Sequence, residues 1–436
     1  MGAQLLLNLA ERLGTSVAGF DLDQAKVAAV MKLAKEQGDL PVQAYATLDA
    51  FIASLSLPRC VMLLVPAGKP VDSAITALTP LLAKNDVIVD FGNEWYQKTE
   101  ARQRLLEPSG VLYIGCGLSG GEHGARHGPC LMPGGQHEGW LLLKPIFESI
   151  AARVGGDPCV RYIGGGGSGH YVKMVHNGIE YGDMQLIGEA AHFCRAVGGL
   201  SPEEVSILFS QVGIRFGEEG GGAKSALSSH GVMLLQLNKG VLECFLMETT
   251  AACLLKKDDR NGLSGKAALV DLLLDSCGSK GTGKWTVQQT QREAAAGLLG
   301  GAVAEKGCTS KVWQEDLADA LLASKLCSYA QIRAKILDLV RVAFEKEPQL
   351  SNLLLDPEVA KVMTMSEPGW RRFVISAVQQ GLPVPAMSAS LAYYDTLRSA
   401  VLPSAQAQRD CFGGHGFKRL DTPGTFHAIW IPEEKL

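Results

Sequence analysis

The chain has 436 residues, 47% hydrophobic and 20% charged, with a formal net charge of -4. That is an ordinary globular composition with chain enough for two or three domains, and it leaves no basic footprint for nucleic acid or an anionic membrane surface. No apolar run reaches the ~20 residues of a spanning helix and no signal-peptide layout opens the chain, so no membrane partner is expected. Its 11 cysteines, without a CxxC pair, exclude a disulfide framework and a zinc site, and predict reduced thiols in the cytoplasm.

Residues 1–162 alternate short β-rich runs with helical patterns, the signature of a parallel sheet with crossover helices. A helix follows Met1-Gly2 at once, and the predicted strands are 17–20, 60–65, 87–91 and 111–115. Asp21 closes the first of them. It either bonds an adenosine ribose 2′-hydroxyl, as an acid ending such a strand does, or caps the next helix. The GxGxxG turn that opens a dinucleotide fold is absent, and Gly2 is the one position that matches its last glycine. Asn93 follows the 87–91 strand directly, either at the ligand-binding carboxyl edge of the sheet or as a turn residue. From Gly117 through Ser119, Gly120, Gly121 and Arg126 to Gly135 the glycines predict a loop, either a backbone nest for an anion or hydroxylated ligand or a connector.

The run Gly164, Gly165, Gly166, Gly167, Ser168, Gly169 holds no regular element by composition, and a helix is predicted from His170 onward. On it Lys173, His176, Asn177, Glu180 and Tyr181 fall at i, i+3, i+4, i+7 and i+8, which is one face. Val175, Gly178, Ile179, Gly182 and Leu186 form the opposite face, predicted to be the packed one. The polar stripe is either a solvated face or a site. Each functional type occurs about once in it, unlike the repeated Glu and Lys of a solvated surface. Helical patterns then continue to Tyr394, which predicts a large all-α domain at 163–403. Gly217 to Gly222 interrupts it, and the turn from Lys280 to Thr286 lacks the spacer of a P-loop. Residues 404–436 read as an irregular tail, with Arg409 and His415 as ligands or surface residues.

Together these segments resemble the decarboxylating 6-phosphogluconate dehydrogenases of the pentose phosphate pathway and gluconate utilization. The matching pieces are GLSGGEHGARHGPCLMPGG from Gly117, HYVKMVHNGIEYGDMQLIGE from His170, LNKGVLECFLMETT from Leu237, GSKGTGKWT from Gly278 and QAQRDCFGGH from Gln406. The resemblance implies an α/β Rossmann-like N-terminal domain with its first strand missing, a large all-α domain, and a tail reaching the partner subunit of a homodimer. It implies oxidation of 6-phosphogluconate at C3 by NADP, then loss of CO2 to give ribulose 5-phosphate. Lys173 matches the general base, whose pKa burial beside a nicotinamide cation would depress. Glu180 matches the acid that protonates C1 of the enediol. Asn93, Ser119, Gly120, Gly121, His176, Asn177, Tyr181, Lys280, Lys306, Arg409 and His415 match substrate contacts. Gly2, Asp21, Val65, Ala67 and Asn93 match the coenzyme side.

Several departures bear on activity. The opening strand and the first fingerprint glycines are absent. Asp21-Leu22-Asp23 stands where the family has Asn-Arg-Thr for the 2′-phosphate, so NAD is a possible coenzyme beside NADP. Lys306 replaces an arginine and loses its fork, and Pro66 replaces a lysine beside the coenzyme. After Gln331 a segment equivalent to ~45 Å of helix is missing. The alternative to an active dehydrogenase is therefore a non-catalytic relative acting as a scaffold or regulatory partner subunit. A hydroxyacid dehydrogenase with another substrate fits less well, because Lys280 and Arg409 are kept.

Overall fold

The computed structural model describes residues 1–210, 242, 244–258, 268–273, 285, 313–328, 336–350, 352–398 and 424–428. They fall into two units, one of Met1–Gly178 with Trp285 and one from Ile179 onward.

In the first unit the longer strands form two pieces, beside a two-residue hairpin of Arg153–Val154 and Asp157–Pro158. β1 (Val17–Phe20) and β2 (Val42–Tyr45) pair in parallel. β3 (Cys60–Leu63), β4 (Val87–Asp90), β5 (Leu112–Ser119) and β6 (Cys130–Gly135) form a separate sheet in that order, with only β6 antiparallel. Among the described residues no strand joins β1 to β3. Around the strands lie α1 (Gly2–Leu13), α2 (Gln24–Glu36), α3 (Leu48–Ala53), α4 (Lys69–Leu78), α5 (Tyr96–Leu106), α6 (Gly121–His127) and α7 (His137–Ile150).

The amphipathic α1 links the two pieces. Leu5 and Leu9 pack with Val87, Val89 and Ile114, whereas Leu7 and Ala10 pack with Val30, Ala34 and Val42. Leu6 lies against Gly19, where a Cβ would come within 2.8 Å of its Cδ2. The consequence shows in burial. Every residue of β4 is buried, as its continuous apolar run requires of an inner parallel strand, while every residue of β1 is only half-buried.

Three sequence expectations change here. The helix cap belongs to Asp23, whose side chain accepts from the Ala25 N–H at 2.9 Å, and Asp21 instead accepts from the Asp23 N–H at 2.8 Å. The predicted glycine loop from Gly117 to Gly135 is ordered structure: the end of β5, α6, and β6 paired antiparallel to β5. β2, VQAY, is too short and too polar to stand out by alternation.

The described part of the second unit is mainly helical, with Pro202–Phe209, Phe245–Leu255, Trp313–Ser328, Ile336–Lys346, Pro357–Gln379 and Pro385–Arg398 following the long helix α8 (Ser168–Ala196). One apolar cluster holds it, with the Phe193 and Phe373 rings 4.4 Å apart. Two buried ionic groups are paired inside it. Lys325 meets Asp183 at 2.9 Å, and Glu189 accepts from the Ala386 and Met387 N–H groups at 2.7 and 3.0 Å, capping the helix they open. No helix among the described residues is long and apolar enough to cross a membrane.

Candidate active site

Ser168 and Gly169, expected outside regular structure, form the first turn of α8. They can because glycines stand in the strands beneath them. An added Cβ at Gly169 would strike the Gly115 and Met132 carbonyl oxygens, and one at Gly134 would strike the Gly169 nitrogen. At Gly115 it would stand 2.8 Å from His170 Nδ1, and at Gly117 it would collide with Lys173 Cβ. The helix therefore lies on β5 and β6 at backbone distance.

The expected split between faces holds only in part. Of the predicted packed face, Leu186 is fully buried in the helical core, while Val175, Gly178, Ile179 and Gly182 are half-buried. The polar stripe is packed at Lys173 and Asn177, each 6% exposed, because glycines on the strands make room for them, whereas His176 and Glu180 are half-buried and Tyr181 is exposed. His176 connects it to β5: Ser119 Oγ lies 3.3 Å from His176 Nε2, and His176 Nδ1 lies 3.2 Å from Asn177 Oδ1. An amide oxygen only accepts, so Nδ1 carries the proton. Gly120 and Gly121 follow with φ of 125° and 63°, a turn open to glycine. Lys173, His176, Asn177 and Ser119 are thus assembled by β5 and α8.

Asn93 is half-buried in the loop after β4, at the carboxyl edge as one of its two readings required. A buried charge cluster fixes that edge. Arg102 of α5 reaches Glu94 at 2.8 Å and Asp90 at 3.4 Å, and donates to the Gly68 carbonyl at 3.1 Å. Glu94 in turn accepts from the Gly68 N–H at 2.7 Å, so the turns after β3 and β4 are tied together. Burial works against the Arg102 charge, but the Asp72 and Glu94 carboxylates bonded to it raise its pKa, so it stays a cation. Burial and the Asp90 carboxylate raise the Tyr113 phenol, which remains neutral and donates to Asp90 at 2.8 Å.

Farther along α8, Glu180 is half-buried and Tyr181 is 47% exposed, in the part of the helix that belongs to the second unit. Lys280, Lys306, Arg409 and His415 lie outside the described residues. Trp285, beside the Lys280 turn in sequence, packs its ring 6.1 Å from Trp95, which follows Asn93 and Glu94.

The described residues fit a nicotinamide dinucleotide along the carboxyl edge. Asp21 directly follows β1, and Val65 and Ala67 line the turn after β3. The α1 N-terminus comes close to β3, where a Cβ on Gly2 would be 3.5 Å from Leu64 Cβ. An acid after that strand suits a ribose hydroxyl.

Sequence reasoning missed the groups beneath the site: Thr99, Asp90, Glu94, Arg102 and the glycines facing α8. It also passed over His170, although three residues before Lys173 on a helix is the same face.

Residues 1–164 match the family described as the NAD binding domain of 6-phosphogluconate dehydrogenase. Residues 169–213, 227–309 and 332–430 match the 6-phosphogluconate dehydrogenase C-terminal domain. The chain is 39% identical to 6-phosphogluconate dehydrogenase, decarboxylating 1, of Spinacia oleracea, covering 99% of this chain and 96% of the relative. It is 38% identical to the NADP(+)-dependent, decarboxylating enzyme of Bacillus subtilis, covering 99% and 97%. Among solved structures, Plasmodium falciparum 6-phosphogluconate dehydrogenase, described in its apo form and in complexes with its cofactor NADP+ and its substrate 6-phosphogluconate, superposes with a TM-score of 0.82 at 34% identity, covering 99% and 98%.

Proposed function

Because the chain belongs to the 6-phosphogluconate dehydrogenase family, we propose that it catalyses the oxidative decarboxylation of 6-phosphogluconate to ribulose 5-phosphate and CO2 with reduction of NADP, Lys173 and Glu180 carrying the proton transfers. The observation that carries the assignment of residues is Lys173, 6% exposed and seated over Gly117 beside His176, Asn177 and Ser119. The nicotinamide, when bound, accepts the hydride from C3. Lys173 Nζ removes the proton of the 3-hydroxyl. The resulting ammonium then donates to the 3-keto oxygen while the C1–C2 bond breaks and CO2 leaves. Glu180, two helical turns on, protonates the carbon that lost CO2. Ser119, His176, Asn177 and Asn93 hold the sugar hydroxyls, while Lys280, Lys306, Arg409 and His415 serve the phosphate and acid ends.

The reading extends to a cytoplasmic homodimer in which the 404–436 tail of one protomer completes the other's site, on the strength of the sequence resemblance and the cysteine pattern. The non-catalytic alternative rested on the missing coenzyme loop, and full-length similarity to curated enzymes gives it no support. The test is Lys173→Met assayed with 6-phosphogluconate and NADP. We expect kcat to fall by roughly 100- to 10,000-fold with substrate affinity kept, as for loss of a general base. Full activity in that variant sinks the assigned base.

A further inference from the structure

His170 is 1% exposed and makes hydrogen bonds to two different elements. Its Nε2 lies 3.1 Å from the Asp90 carbonyl, and its Nδ1 lies 2.6 Å from Thr99 Oγ1 on α5. A carbonyl oxygen only accepts, so Nε2 holds the proton and the Thr99 hydroxyl donates to Nδ1. Asp90 ends β4, three residues before Asn93, and Lys173 stands one helical turn after His170. The ring also rests on Gly115, where no side chain fits. Burial lowers the His170 pKa, although the Asp90 carboxylate pulls the other way, which keeps the imidazole in the neutral form this arrangement needs.

We propose that His170 is a positioning residue that locks the α8 turn bearing Lys173 to the carboxyl end of β4 bearing Asn93, so that base and sugar-binding amide keep one spacing. The energetic reason is that each neighbour alone leaves freedom. Gly117 fixes how near Lys173 comes to β5, but not how far the helix slides along it. A ring bonded at both nitrogens to two other elements removes that slide. The inference rests on Lys173 as the base, so the test carries a readout independent of turnover.

In the full-length chain, His170→Phe keeps a ring and loses both hydrogen bonds. A misplacement on the order of 1 Å lowers kcat by about 100-fold, while KM for 6-phosphogluconate stays within about threefold. His170→Gln, whose amide reaches the Asp90 carbonyl, recovers most of that loss. Thr99→Val, nearly the same shape, decides the matter should the Phe variant not fold, with a smaller drop in kcat of the same kind. Hydrogen exchange is followed in parallel. Amides of 88–94 and 169–175 both exchange about tenfold faster in Thr99→Val. Unchanged kcat, a loss in KM alone, no rescue by Gln, or faster exchange in only one segment would overturn the proposal. A wild-type chain that turns over no 6-phosphogluconate removes the functional reading instead, and the paired exchange then judges the lock by itself.

Discussion

On the substrate side of the first unit, β4 is buried along its length and its carboxyl end is held by Arg102, Tyr113 and His170. On the coenzyme side, β1 is half-buried throughout and its carboxyl end carries Asp21 and Asp23, whose nearest cation is Lys26 at 3.9 and 4.0 Å. The first end is built from charges without access to water, bound at hydrogen-bond distance to several elements. The second is built from local turns and a solvent-screened pair. On the proposed function, rigidity is thereby concentrated beside the proposed base, while the edge proposed for the coenzyme depends on α1 to hold its shape.

Substitutions at the two edges separate them by size of effect. Arg102→Met strands the buried Asp90 and Glu94 carboxylates, and urea denaturation is expected to show a loss of about 3–5 kcal/mol; a loss below about 1 kcal/mol would mean the cluster is not an anchor. Gly115→Ala drives a methyl into Thr99 and His170. It is expected to cost about 1–3 kcal/mol in the same measurement and to lower kcat with it. Asp21→Asn removes a charge from the coenzyme edge. In fluorescence titrations the ratio of NADP to NAD affinity should rise about fivefold, the value of one solvent-screened charge pair near 4 Å. No change in that ratio would place the 2′-position away from Asp21. Lys26→Met, the smallest, should shift stability by less than about 0.5 kcal/mol, because exposed pairs are screened.

The polar stripe on α8 illustrates how far residue pattern alone carries. Spacing places Lys173, His176, Asn177, Glu180 and Tyr181 on one face of a helix because helical periodicity is local. The same reasoning left the burial of Lys173 and Asn177 unforeseen, since polarity is a poor guide where glycines on another element let a helix approach to backbone distance. Strands were legible at β1, β3, β4 and the start of β5, but β6 was hidden in a glycine run whose pairing partner lies in β5.

Composition and helical period determined by themselves the α/β-then-α architecture, and the quoted motifs determined the family resemblance, which implies the residues proposed to carry its chemistry. Tertiary structure decided the rest. It set which turn caps α2, that β1 and β3 stand in separate pieces with α1 packed on both, and that Thr99, Asp90, Arg102 and His170 lie beneath the site. Those contacts join residues up to 80 positions apart. Burial and hydrogen bonding over such separations depend on how whole elements pack, which no local pattern encodes.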